Sequence, residues 1–240
     1  MLYYNKLIIS GCFLELYKYD TIQARGYKRQ KIPRVRDPEQ QEFDFNKELK
    51  QKFKSMFSIN RTRTIIRRIV NSNKDFTKFI TLTFKDNFSD IEKANRIFSK
   101  FIMRLKYKFP ELKYLAVIEF QKRGAVHYHM ASNLPYIPNK ELSELWGQGF
   151  VRINEIEKVT NLGAYVCKYL SKDMFDKRMF GQKKYFCSKN CIKPQELFDE
   201  DIIHDILAMY GIDEEKDATY KAQFDNEYTG VVKYKQFKIS

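Results

Sequence analysis

Val126-His127-Tyr128-His129-Met130 constrains this chain more than any other segment. Along a strand, side chains two apart share a face. Val126, Tyr128 and Met130 therefore point together into a core, while His127 and His129 point together the other way. The preceding stretch Tyr114 to Phe120 reads as a partner strand, and Lys122-Arg123-Gly124 supplies the turn of a hairpin. That hairpin brings Glu119 approximately opposite His129. Two imidazoles and a carboxylate can then converge on one open face. On an ordinary strand the same histidine pair would simply face solvent.

The surrounding pattern extends the hairpin into a sheet. Phe79 to Phe84 alternates and is rich in β-forming residues. Ser89-x-x-Glu92 has the form of a capping box. After it, Ile91, Ala94, Ile97, Phe98, Phe101, Ile102 and Leu105 recur at helical spacing up to Pro110. Asn139 can cap a short helix through Trp146, closed by Gly147 and Gly149. Phe150 to Ile153 is a fourth strand, and Thr160 or Asn161 opens a helix reaching about Lys172. The order from Phe79 is strand, helix, strand, strand, helix, strand, helix. This predicts an α+β fold with an antiparallel sheet backed by helices.

The flanks carry weaker signals. Leu7-Ile8-Ile9 and Cys12 to Tyr19 suggest a strand pair turning at Ser10-Gly11. Arg25, Lys28, Arg29, Lys31, Arg34 and Arg36 form a basic arm broken by Pro33. In Arg61 to Val70, Ile65, Ile66, Ile69 and Val70 fit one helical face, with Arg63, Arg67 and Arg68 on the rim. Asp199 to Tyr210 reads as a helix, and Tyr228 to Ile239 as one or two strands. The expected division is a basic extension over 1–76, a core over 77–185 and a second extension over 186–240.

The formal net charge is +14, which favours a polyanionic partner, nucleic acid before membrane. Arg123, at the turn beside the histidines, is a candidate DNA contact together with Arg63, Arg67 and Arg68. Cys12, Cys167, Cys187 and Cys191 form no CxxC pair, so free thiols in a reducing compartment are expected. Cys187, Cys191 and His204 make only a faint zinc pattern. No apolar run approaches the roughly 18 residues of a membrane helix. Ile8-Ile9-Ser10-Gly11-Cys12 superficially resembles a lipoprotein cleavage site, but its apolar stretch is too short. A cytoplasmic protein with no membrane partner is expected.

Helical spacing groups Tyr165, Lys168, Tyr169 and Lys172 on one face, with Leu162, Val166 and Leu170 on another. A free phenol has a pKa near 10, so only about 0.1% is phenolate at neutral pH. A neighbouring ammonium or metal favours the phenolate. Such a helix facing an imidazole–carboxylate site suits attack on phosphorus by tyrosine. Alone, the segment also reads as two aromatic rims on an amphipathic helix.

Taken together, Phe79 to Phe84, Glu119 with His127-x-His129, and Tyr165-x3-Tyr169-x2-Lys172 resemble the three motifs of the HUH endonucleases. Tyr128 fills the hydrophobic position between the histidines. The closest likeness is to rolling-circle replication initiators of small plasmids and single-stranded DNA phages, over roughly residues 77–175. The resemblance implies a core like an RNA-recognition module with N- and C-terminal extensions. It implies Mg2+ or Mn2+ on His127, His129 and Glu119. It also implies nicking and rejoining of single-stranded or hairpin origin DNA through a 5′-phosphotyrosyl intermediate. Tyr169 would attack first, Tyr165 second, and Lys172 would help orient the site. No Gly-x4-Gly-Lys-Ser/Thr loop exists, so strand separation is expected of a host helicase, alongside a host polymerase and in a bacterial cytoplasm.

Three other readings compete. A transposase or relaxase would share the chemistry. A non-catalytic single-strand-binding module would use aromatics such as Tyr128 to stack on bases. A zinc hydrolase would use His127, His129 and Glu119 but lacks a nearby general base.

Overall fold

The computed structural model describes residues 1–26, 44–121, 123–156, 161–170, 177–179, 182–226 and 229–239, with side chains except at 44–57, 169–170, 177 and 226. The chain opens with β1 (Leu2–Ser10), β2 (Phe13–Ala24), α1 (Asp44–Ser72) and β3 (Lys78–Thr83). There follow α2 (Ile91–Lys108), β4 (Tyr114–Phe120), β5 (Val126–Ser132), α3 (Asn139–Trp146), β6 (Val151–Glu155) and α4 (Leu162–Leu170). Last come β7 (Tyr185–Cys187), β8 (Gln195–Leu197), α5 (Glu200–Met209), β9 (Tyr220–Asn226) and β10 (Gly230–Lys238). Two antiparallel five-stranded sheets and helices make the α+β fold that the sequence predicts. They belong to two compact units, Met1–Gln51 with Lys193–Ser240, and Lys52–Ile192.

In the first unit the strand order is β8-β1-β2-β10-β9. The expected hairpin turns at Gly11, whose φ of 62° suits a residue without a Cβ. One sheet face, with Leu7, Leu14, Leu16 and Phe237, buries Ile203 and Leu207 of α5. Asp199 starts that helix by accepting hydrogen bonds from the backbone N–H groups of Asp201 and Ile202. The two ends of the chain, read from sequence as separate extensions, thus share one sheet.

In the second unit the order is β6-β3-β5-β4-β7, and every ladder among the described residues is antiparallel. The alternation of β5 decides its two faces. Val126, Tyr128 and Met130 join Ile80, Leu82, Ala116 and Ile118 against α2 and α3. The Tyr128 ring stacks on Phe98 at 4.3 Å between centroids, and its hydroxyl donates to Asn95 Oδ1 at 2.8 Å. Phe79, Leu115, Val117 and Ala131 occupy the other face, with Ile66, Ile69 and Val70 of α1 and Val166 of α4. The sheet is therefore sandwiched between two helical layers, and each strand alternates between two apolar interiors.

Several boundaries differ from expectation. Asp90, not Ser89, caps α2, accepting from the backbone N–H of Lys93 at 3.0 Å. Pro138 stands at the cap of α3, so Asn139 is its first helical residue. The helix expected over 61–70 belongs to a 29-residue α1. The basic arm beyond Gly26 lies outside the described residues.

Candidate metal and nucleophile site

The sheet face opposite Tyr128 carries the imidazoles, and both are buried, His127 at 8% exposure and His129 at 5%. That excludes an ordinary solvent-facing pair. The same numbers place Tyr128 at 0%, so it stacks on no base; the structure corrects that reading. The hairpin register differs by two residues from the sequence estimate. Glu119 pairs with His127 across the ladder, and Val117 with His129. The Glu119 carboxylate nevertheless reaches diagonally to His129, with 2.5 Å between Oε2 and Nε2. On the other side, Thr81 pairs with His129 and Thr83 with His127. Thr81 Oγ1 lies 3.1 Å from His129 Nδ1. With Nε2–H donating to Glu119, Nδ1 accepts from the Thr81 hydroxyl, and the ring is held at both nitrogens.

His127 is placed differently. Its Nε2 is buried and has no hydrogen-bond partner among the described residues. Burial, reinforced by His129, lowers its pKa to about 4, against the upward pull of Glu119. A neutral imidazole with an unsatisfied buried nitrogen has the electronic form of a metal ligand. The two ring centroids stand 6.2 Å apart. Among the described residues no three His, Cys, Asp or Glu side chains form a ready-made metal cluster. The donors of Glu119 and His129 face each other instead.

α4 crosses this same sheet face, in contact with β4 and β5. Asn161 Oδ1 accepts from the Ala164 backbone N–H at 2.9 Å and so starts the helix. Gly163 lets α4 approach α1 closely, because a Cβ there would stand 2.5 Å from Asn71 Oδ1 and 2.7 Å from the Arg67 carbonyl oxygen. Asn71 Oδ1 also accepts from the Gly163 N–H at 3.0 Å. Tyr165 meets Phe79 edge to face at 5.1 Å, and Phe79 stacks on His129 at 5.8 Å. Phe79 is thus the ring between the first tyrosine and the imidazoles. Tyr169 belongs to α4 one turn on, but its side chain lies outside the described residues, as does Lys172.

The lysine–tyrosine face predicted for α4 divides. Tyr165 packs toward the sheet with Leu162 and Val166, whereas Lys168 lines a cleft with Arg63 and Arg67. Arg123 sits at the hairpin turn, donating to Gln121 Oε1 at 2.7 Å and to the Phe84 carbonyl at 3.1 Å. Its charge is felt at His127. Arg68 does not line the cleft with Arg63 and Arg67. Cys187 and Cys191 belong to the second unit and His204 to α5 of the first, where it is exposed. Phe79 and Thr81 lie in the first motif strand but had no site role in the sequence reading, and neither had Asn71. Each acts through a cross-strand or interhelical neighbour that spacing along the chain does not reveal.

Residues 77–174 match the family model described as replication-associated protein ORF2. The matched segment, less than half of the chain, contains β3, the β4–β5 hairpin and α4 and is similar to replication-associated proteins of the Rep type. No curated protein and no solved structure matches the chain. No helix among the described residues is long and apolar enough to cross a membrane.

Proposed function

We propose that this protein initiates DNA replication by nicking and rejoining single-stranded or hairpin origin DNA through a tyrosine of α4. One observation carries the reading: His127, His129 and α4 share a single face of one sheet, with Phe79 touching both His129 and Tyr165. Attack by the phenolate oxygen on the scissile phosphorus forms a 5′-phosphotyrosyl ester and releases the 3′-oxygen as a hydroxyl. The bond energy is retained, so the reverse step reseals the strand without ATP. Phe79 separates Tyr165 from His129, which favours Tyr169 as the first attacker and Tyr165 as the second. Lys172 orients the site in this scheme.

His127, His129 and Glu119 would hold Mg2+ or Mn2+. Two nitrogens and a carboxylate oxygen suit Mn2+ well and Mg2+ through the carboxylate and water. The orphaned Nε2 of His127 supports this fit. To hold the cation, the Glu119 carboxylate and His129 Nε2 would turn from their mutual hydrogen bond toward it. When bound, the cation supplies Lewis-acid polarisation of the scissile phosphate. Thr81 keeps its hold on Nδ1 and aims the His129 ring. Duplex opening and synthesis fall to a host helicase and polymerase. The replication-family match weighs for an origin over a transposon end or a conjugative transfer site.

The test uses end-labelled single-stranded oligonucleotides tiling the non-coding DNA of the replicon that encodes the chain. Incubation with Mn2+ should give a protein-linked band that survives denaturation. Chelator, or His127→Ala, should abolish it. Absence of any adduct across the whole tiling set removes the proposal.

A further inference from the structure

α1 and α4 enclose a cleft of about 370 Å³ lined by Arg63, Thr64, Arg67, Ala164, Cys167 and Lys168. Three of these six are cations and none is acidic. The unit that contains the cleft carries 28 Lys and Arg against 12 Asp and Glu, whereas the other carries 16 against 18. The positive charge of the chain is therefore concentrated in this unit. Arg63 Nε is buried with no hydrogen-bond partner among the described residues. Thr64 adds a hydroxyl donor, and the small side chain of Ala164 leaves room for a bulky anion to approach α4.

Around the α4 axis, Ala164 lies away from Leu162, Tyr165 and Val166, the residues packed with the sheet-side core, while Lys168 stands about 60° from Tyr165 and Cys167 lines the cleft at the edge of that same core. The cleft therefore opens between α4 and α1, and neither imidazole lines it among the described residues. We infer that it is a seat for a backbone phosphate of single-stranded DNA outside the scissile position, gripped by Arg63, Arg67 and Lys168. This deepens the nicking proposal and rests on it only for the identity of the strand. Lys168 then holds DNA and does not activate a phenol. Guanidinium and ammonium donors around a small cleft with no acidic side chain among its described lining residues suit a phosphodiester. They read no base, so the grip is independent of sequence.

The experiment uses the full chain in chelator, where nicking cannot contribute, with a fluorescent thymidine 20-mer as probe. Arg63→Gln with Lys168→Gln should weaken binding about tenfold near 0.1 M salt, and the log–log salt slope should shrink by about 0.7 per lost contact. Lys100→Gln with Lys140→Gln, on α2 and α3 across the sheet, removes the same charge and should change both far less. Saturating oligonucleotide should also slow iodoacetamide labelling of Cys167, read from its tryptic peptide, at least fivefold. Equal effects of the two charge pairs, or unchanged Cys167 labelling, would overturn the inference. A chain that passes these tests yet forms no covalent adduct would keep the phosphate seat and lose the nicking reaction. The reverse outcome would lose the seat alone.

Discussion

Replacing Gly163 by Ala separates the position of α4 from its presence. The new Cβ would stand 2.5 Å from Asn71 Oδ1, 2.7 Å from the Arg67 carbonyl oxygen and 2.9 Å from Arg67 Cγ. Asn71 can rotate away, at the loss of its 3.0 Å hydrogen bond from the Gly163 N–H. The Arg67 carbonyl is α1 main chain and cannot. Restoring an ordinary 3.4 Å contact needs α4 to move by roughly 0.7 Å. Overpacking of this kind costs about 1–3 kcal/mol, and the lost hydrogen bond about 1. Alanine returns about 1 kcal/mol of helix propensity over glycine. The net expectation is a destabilisation of about 1–3 kcal/mol, small enough to leave the fold intact. The reaction should suffer more, because misplacing a reacting group by about 1 Å can cost about 100-fold. Urea unfolding gives the first quantity and single-turnover adduct formation at saturating DNA the second. Ile102→Val is the comparison, since it thins the core on the other side of the sheet at about 0.5–1.5 kcal/mol. Its adduct rate should stay near that of the parent while Gly163→Ala falls at least tenfold. Equal rates in the two variants would refute the reasoning that the α1–α4 contact sets the tyrosine position.

Three further outcomes follow from the geometry. Thr81→Val removes the hydroxyl at His129 Nδ1 and should weaken Mn2+ binding by about 10- to 100-fold in calorimetric titration, with the fold retained; unchanged affinity would show that the hydroxyl does not hold the ring. Tyr128→Phe loses the hydrogen bond to Asn95 and should cost about 1 kcal/mol in urea unfolding without changing DNA affinity, whereas weaker DNA binding would return Tyr128 to the interface. His127 is held neutral with its pKa lowered to about 4, below the ordinary value near 6.5, so the unfolded chain takes up the proton first as pH falls. The stability from this residue is complete above about 6.5 and is lost as pH drops toward 4, and His127→Gln should flatten that part of the metal-free unfolding profile; an unaltered profile would contradict the assignment.

Much of the second unit was legible because its strands alternate and its turns carry glycine. Tyr114 to Phe120 and the start of β5 at Val126 match the sequence reading, and the faces of Tyr128 and the imidazoles follow from period two alone. The two-residue register difference arose because a turn's residue count does not fix which residues pair. α1 before Arg61 was not read although Phe45, Leu49, Phe53, Met56 and Phe57 recur at three- and four-residue spacing, the pattern of one helical face. β7 and β8 span three residues each, too few to show a period. The first unit's sheet joins β2 to β10, separated by most of the chain, and no local pattern encodes such a pairing. The place of Lys168 in the cleft has a geometric reason. A residue three positions along a helix lies about 60° around the axis, and here that offset separates a sheet-facing tyrosine from a cleft-lining lysine.

The most direct measurement is the site of DNA attachment. Adducts formed with Mn2+ and origin oligonucleotide are digested with nuclease and trypsin, and the nucleotide-bearing peptide is sequenced by mass spectrometry. The mass of a 5′-phosphonucleotide should sit on Tyr169 or Tyr165, and Phe at the modified position should remove it. A linkage on any residue outside α4, or cleaved DNA with no attached protein, would contradict the account.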